Sequence, residues 1–337
     1  SIGMAGILPN WTLLAVAVFL AAIEFCIGIF LLFAIQRRLI SKLTVAFMAF
    51  MTMVTVWIVV ADPVKDCGCF GDALHLTNTE TLIKNIVLFV CSLAIMYRPL
   101  AMFRFVSKSN QWIVTNYTIV FILVSSGLSL YYLPIFDFRP YHIGVNIPRG
   151  MEIPKGAKLP QFKTTFIMEK NGQRKEFTLD NYPDASWKFI DSKTVQTSEG
   201  YIPPIHDFSI TDNKTGLDLT NSVLSHKGYT FLLIAPHLET ADDSNFGDID
   251  RLYEYAQSYD IPFYCLTAST TKAIKRWIDL TGAEYPFCIT DEAVLKTIIR
   301  SNPGLLLLKD GTIINKWSHN NLPNEAKLSR PISQSSL

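Results

Sequence analysis

Six cysteines occur in 337 residues, and two of them are separated by a single glycine in the stretch Asp66-Cys67-Gly68-Cys69-Phe70-Gly71-Asp72. A Cys-x-Cys pair closes a disulfide only as a small strained ring, and the central glycine permits the backbone angles such a ring demands. Strained, exposed disulfides are the exchange-competent kind, so one reading of Cys67 and Cys69 is a thiol–disulfide couple. A second is metal ligation by Cys67, Cys69 and His75, with Asp66 or Asp72 nearby. Zinc motifs more often space cysteines by two to four residues, and no second cysteine pair lies close by, so no metal is expected. A third reading is a structural disulfide or tight turn joining two helices. Spacing alone leaves these alternatives open.

The elements that must position this turn are apolar. Residues 11–35, 43–61, 81–97 and 112–133 are long, nearly uncharged runs of the length that crosses a bilayer. Charges concentrate in the connections: Arg37, Arg38 and Lys42 between the first two runs, and Arg98, Arg104 and Lys108 between the last two. The connection holding Cys67 and Cys69 carries Asp62, Lys65, Asp66 and Asp72 and is net acidic. The positive-inside rule puts the two basic connections in the cytoplasm, and the cysteine turn and everything after the fourth run outside. Thr77 to Thr79 before Glu80 reads as a helix start. Glu24 interrupts the first run; carboxylates inside a membrane are costly and mark either a functional group or a buried hydrogen-bonded one. Lys84 is expected to snorkel to the outer interface. Cys26 and Cys91 read as small packing residues.

The 49 % hydrophobic average hides a division, because the chain beyond Ile135 has the composition of an ordinary soluble domain. A net charge of +1 gives no case for nucleic acid or another charged polymer. No charged segment with a cleavage site precedes the first apolar run, so no signal peptide is expected and the start reads as internal.

In order, Glu24 and Gly28 on an apolar helix, a basic loop, a second helix, Asp62-Pro63 and the Cys67-to-Asp72 string, with Asn78, Thr81 and Lys84-Asn85 beyond it, resemble the DoxX/MauE-like membrane proteins. The resemblance covers roughly the first 135 residues. It implies thiol oxidation linked to quinone and maturation of disulfide-containing envelope proteins, and a further helix upstream of residue 11. On that reading Cys67 and Cys69 are the exchanging thiols, Glu24 is a candidate for accompanying proton movement, quinone is the candidate acceptor, and no cofactor is covalently bound.

Prolines at 134, 140, 148, 154 and 160 predict a stiff linker. Residues 162–169 and 175–179 around Asn171-Gly172 predict a β-hairpin, and residues 187–190 and 205–210 predict further strands. From Lys227 the pattern sharpens: strands at 229–235 and 262–267, helices at 248–259, 271–281 and 293–299, then a hairpin from 305–308 to 312–317. Strand-helix-strand-helix followed by a hairpin after a proline is a thioredoxin-like order. Residues 285–317 are similar to TlpA/peroxiredoxin-like thioredoxin folds, with Pro303 matching their cis-proline. That similarity implies that Asn302, Pro303 and Gly304 contact a partner. The strand at 229–235 leads into Pro236-His237-Leu238-Glu239-Thr240-Ala241-Asp242, where those folds carry Cys-x-x-Cys. The usual nucleophile is therefore absent. Cys265 and Cys288 fall on neighbouring elements; pairing and separate reactivity are open to them, but they read first as buried, unpaired thiols.

The fold class expected is a multi-domain membrane protein, an N-terminal α-helical transmembrane bundle plus a C-terminal α/β thioredoxin-like domain. The boundaries are 1–135 for the bundle, 136–160 for the linker, 161–226 for a β-rich lead-in, 227–325 for the thioredoxin-like domain and 326–337 for a tail. The expected setting is a bacterial inner membrane, multi-pass, with the cysteine turn and the C-terminal domain in the periplasm. The expected role is a thiol–disulfide, quinone-linked relay acting on an envelope protein partner. The rival is a non-enzymatic subunit of a larger envelope complex whose thioredoxin-like domain binds protein. Membrane lipid is the other expected partner, and nucleic acid is not.

Overall fold

The computed structural model describes residues 10–61, 74, 76–158, 161–170, 173–178, 183, 186–198, 200–325 and 327–328. Cys67, Cys69, His75 and the acidic residues around them, as well as the Asn171-Gly172 turn, lie outside the described residues. The chain forms two compact units divided between Arg139 and Pro140.

The first unit is helical: α1 (Asn10–Leu32), α2 (Arg37–Ala61), α3 (Asn78–Tyr97) and α4 (Gln111–Tyr131). Each is long and apolar enough to cross a membrane. α2 begins six residues before its apolar run, so Arg37, Arg38 and Lys42 belong to a helix rather than to a loop. Arg37 Nη1 donates to the carbonyls of Leu100 (2.9 Å) and Met102 (3.0 Å), and Gln111 Oε1 accepts from Gln36 N–H at 3.3 Å. The two basic connections therefore meet at one end of the unit. The expected start of α3 is a capping box, with Thr77 and Glu80 each satisfying the other's backbone N–H. α2 packs most extensively on α3, where Asn85 Nδ2 donates to Thr55 Oγ1 at 3.1 Å in a buried contact. A hydrogen bond of this kind between membrane helices contributes about 0.6 kcal/mol on average.

The second unit begins with residues expected to be linker. Tyr141 and Ile147 are buried, and Tyr141 lies against Phe208 with ring centroids 6.0 Å apart. Gly144 N–H donates to Ile313 O, Ile313 N–H to Val145 O, and Ile147 N–H to Gly311 O. Residues 141–147 thus cover the edge of the last strand, with one helical turn, α5 (Ile147–Met151), behind them. Apolar side chains and an unpaired strand edge outweigh the extended preference of the prolines here.

A three-stranded antiparallel sheet follows, β1 (Gln161–Lys170), β2 (Gln173–Thr178) and β3 (Lys188–Ser198), in the order β2-β1-β3. Lys170 faces Gln173 across the hairpin. Residues 205–210 are not a strand, although Ile205, Phe208 and Ile210 are buried. Only β4 (Thr211–Asp212) pairs there, and α6 (Thr220–Leu224) comes after it.

The remaining elements are β5 (Tyr229–Ile234), α7 (Phe246–Ser258), β6 (Phe263–Thr267), α8 (Thr271–Thr281), β7 (Phe287–Ile289), α9 (Glu292–Ile298), β8 (Gly304–Lys309) and β9 (Thr312–Ser318). They form a sheet of order β4-β7-β6-β5-β8-β9, with β5, β6 and β7 parallel and β8 and β9 antiparallel. β5 reads Tyr-Thr-Phe-Leu-Leu-Ile and is buried along almost all its length, as a strand covered on both faces must be. α8 is capped by Thr270 at its start and by Gly282, with φ +75°, at its end. Its buried Trp277 donates from Nε1 to Tyr285 Oη at 3.1 Å. The central strands carry Phe231, Leu233, Leu305 and Leu307 into one core with Ile249, Leu252 and Ile274.

Candidate functional site

The parallel strands point their C-terminal ends at one loop cluster, the place where an open α/β sheet usually binds its ligands. β5 delivers residues 235–245 there, β6 delivers residues 268–270, and α9 leads through Ser301-Asn302-Pro303 into β8. The Asn302–Pro303 bond is cis. Asn302 ties two of these loops together: its Nδ2 donates to His237 O at 2.8 Å, and its carbonyl accepts from Asp242 N–H at 3.0 Å. Its Oδ1 is buried and has no partner among the described residues. Gly304 opens β8 fully buried, and a Cβ there would fall 2.5 Å from Ile299 Cδ1, so this glycine makes room for Ile299. Pro303 is buried beside it.

Polar side chains occupy the loop that follows β5. Half-exposed His237 places Nε2 3.0 Å from Glu292 Oε1, and Lys296 pairs with the same carboxylate. Lys296, and after it His237, hold the Glu292 carboxyl below its ordinary range. Ser269 Oγ donates to Glu239 Oε2 at 2.7 Å and accepts from Leu238 N–H at 2.8 Å, which fixes the short helical turn at 238–240. That hydroxyl also lowers the Glu239 carboxyl. Asp242 is lowered chiefly by Ser244, with His319 adding to it; His319 Nε2 lies 3.5 Å from Asp242 Oδ2.

Ser301, His319 and Asp242 fall in line, as a nucleophilic relay would. Their geometry serves a different purpose. Ser301 is 9 % exposed, donates to Pro303 O, accepts from His319 N–H at 3.1 Å and contacts His319 Nδ1 at 3.0 Å. An oxygen so saturated is a structural node that joins the cis-proline turn to the end of β9.

Cys265 and Cys288 are both 0 % exposed and free. In the β6–β7 register Cys265 faces Phe287, and Cys288 faces Leu266. The two thiols therefore point to opposite sides of the sheet and cannot bridge. Burial pushes the Cys265 thiol far up and the Cys288 thiol up to about 11, so neither is a ready nucleophile. Glu24 is exposed on α1, Cys26 is half-buried on the same helix, and Cys91 is exposed on α3.

The sequence placed Asn302, Pro303 and Gly304 together, and the structure brings them together with His237. It missed Asp242, Ser269, Glu292, Ser301 and His319, which converge from separate elements. Only the run of small polar residues at each strand end hinted at them. Among the described residues no cluster of His, Cys, Asp or Glu could hold a metal ion.

Residues 1–98 match the family model of the methylamine utilisation protein MauE. Residues 162–199, which include most of the three-stranded sheet, match a domain of unknown function, DUF8463. No curated protein matches the chain. Among solved structures, one assigned to a protein disulfide isomerase from Bacteroides thetaiotaomicron is 17 % identical, covering 39 % of this chain and 84 % of its own, with a TM-score of 0.29. The thioredoxin domain of a thiol-disulfide oxidoreductase from Bacteroides vulgatus is 12 % identical (38 % and 91 % covered, TM-score 0.30). A thio-disulfide isomerase from Thermus thermophilus is 14 % identical (38 % and 92 % covered, TM-score 0.30). The mixed sheet of the second unit, with the cis Asn302–Pro303 bond ahead of β8, is of the thioredoxin-like kind. The chain is a multi-pass membrane protein in which a MauE-like helical region precedes a thioredoxin-like domain with no cysteine at the loop following β5.

Proposed function

We propose that this protein is a thiol–disulfide relay of a bacterial inner membrane, in which Cys67 and Cys69 exchange with an envelope protein and the thioredoxin-like domain holds that protein. The observation that carries the reading is the distribution of thiols. Cys265 and Cys288 are sealed in the core on opposite faces of the sheet, the loop after β5 has none, and Cys26 and Cys91 belong to membrane helices. Cys67 and Cys69 remain, a pair separated by one glycine in the sequence.

For each partner dithiol oxidised, one partner thiolate attacks the Cys67–Cys69 disulfide and releases one thiol. The second partner thiolate then breaks the mixed disulfide. The turn gains two electrons and two protons, and a membrane quinone taken as co-substrate removes both and leaves as quinol. Glu24 is the candidate for the accompanying proton movement. The cysteine turn and the thioredoxin-like domain face the periplasm, where the positive-inside rule puts them. The partner segment docks over the turn at Asn302, which Pro303 and Gly304 shape from beneath.

The test is trapping. Cys67→Ser and Cys69→Ser are expressed singly and together, and membranes are run without reductant. One single variant is expected to accumulate a reductant-sensitive adduct with a second protein, and the double variant none. A second reading, a binding subunit without thiol chemistry, is favoured by the polar network that fills the loop after β5. It predicts that neither single variant forms an adduct and that the double variant still co-purifies with the same proteins as wild type.

A further inference from the structure

The end of α4 carries a feature that thiol chemistry does not use. α4 has 21 residues, roughly 30 Å at about 1.5 Å per residue, which matches a hydrocarbon core about 30 Å thick. Trp112 is exposed at its start, and Tyr131 and Tyr132 are exposed at its end with rings 4.9 Å apart. Aromatic residues at both ends of a span mark the two membrane–water boundaries.

Immediately past the second boundary come Leu133-Pro134-Ile135-Phe136-Asp137-Phe138-Arg139. A chain leaving the membrane for water would be polar here. Instead Ile135 is 71 %, Phe136 78 % and Phe138 61 % exposed, and the two phenylalanine rings stack 6.4 Å apart at an interplanar angle of 15°. Ile135 turns back to line an apolar groove with Tyr117, Val120, Phe121, Val124 and Leu128 on the exposed face of α4. The two charges of the segment neutralise each other: Arg139 grips Asp137 through Nε–Oδ1 at 2.7 Å and Nη2–Oδ2 at 2.9 Å. A closed ion pair of this geometry removes much of the electrostatic cost of approaching lipid.

We propose that residues 135–138 form an interfacial foot, lying in the headgroup–acyl boundary beside the end of α4, with Phe136 and Phe138 inserted into lipid. The occupant of this apolar surface is the bilayer itself. The two surfaces are continuous: Ile135 shares a groove with side chains on the exposed face of α4, and the stacked rings follow it by one and three residues. Phenylalanine, like tryptophan and leucine, is typical of the apolar face that an interfacial segment buries at this boundary.

The full chain is tested in vesicles of phosphatidylcholine and phosphatidylglycerol. The photoreactive residue p-benzoylphenylalanine replaces Phe136 or Phe138, with Leu123 on α4 and Leu280 on α8 as reference positions, both exposed. After irradiation, peptides are weighed by mass spectrometry. The proposal expects peptides carrying 136 and 138 to gain the mass of one phospholipid, as the peptide carrying 123 does, and the peptide carrying 280 to gain none. Lipid adducts at 123 but not at 136 and 138 would overturn it. So would cross-links from 136 and 138 to protein, which would assign the surface to a second copy or another chain.

Discussion

The two units handle the same problem in opposite ways. In the helical unit, large apolar side chains such as Phe19, Trp57 and Leu123 face outward, and polar contacts such as Thr55–Asn85 are kept between helices. In the thioredoxin-like unit, Phe231, Leu233, Leu305 and Leu307 are inside and the polar groups gather at the strand ends. The difference teaches where each unit keeps its specificity. Lipid and protein interior are equally apolar, so helices in a bilayer are sorted by small and polar contacts. In water, burial does the folding, and the polar groups are free to shape a surface.

That contrast can be broken at its strongest point by truncating one large side chain in each unit. Phe231→Ala removes a fully buried ring from the central strand and is expected to cost about 3–5 kcal/mol. Leu123→Ala, at a position 67 % exposed on α4, should change stability by less than about 1 kcal/mol in a bilayer, because the lost contacts are to lipid. Thermal unfolding of the full chain in vesicles reads both. Equal losses would mean that α4 is packed against protein on that face.

A smaller effect is expected at the saturated hydroxyl. Ser301→Ala leaves His319 N–H without its buried acceptor and should cost about 1–3 kcal/mol. The loss should be accompanied by faster amide exchange at Asp242, whose N–H is bound to Asn302 O. A variant as stable as wild type, with unchanged exchange, would show that the node does not hold the loop.

The smallest effect is electrostatic. Asp242, Glu239 and Glu292 are all held below their ordinary values, by Ser244, Ser269 and Lys296 first. Their folded state thus favours the ionised form. The stabilisation is complete above the unfolded carboxylate values of about 4 and is lost as pH falls through the lower folded values. Asp242 and Glu292 are about half exposed, so the loss is modest. The protection factor of the Asp242 amide should fall as the pH drops below about 4, the ordinary carboxylate value, while that of Leu233 in the core stays level. Protection that rose on acidification would reverse the assignment.

Much of this was legible in the chain. The four spans declared themselves by length, and the helix start at Thr77 by its partner Glu80 three residues on. The alternation of β5, α7, β6 and α8 followed from continuous apolar strands between amphipathic helices. What stayed hidden did so for physical reasons. β4 and β7 are two and three residues long, too short for any period to show. Residues 205–210 are apolar because they are buried, without being a strand. The stretch at 141–147, between Pro140 and Pro148, packs because β9 leaves an edge to cover, which no local signal announces. The polar network at the strand ends joins Asp242 to His319 and His237 to Glu292, pairs 77 and 55 residues apart in a chain whose loops reveal nothing of their partners.

The measurement that bears most directly on the account is the redox state of each thiol in intact membranes, read by alkylation before and after reduction followed by mass spectrometry of the cysteine peptides. The account predicts that Cys67 and Cys69 are a mixture of dithiol and disulfide whose ratio follows the supply of oxidised quinone, while Cys265 and Cys288 stay unalkylated until the protein is unfolded. A Cys67–Cys69 pair that stays in one state whatever the quinone supply, or alkylation of Cys265 or Cys288 in the folded protein, would contradict it.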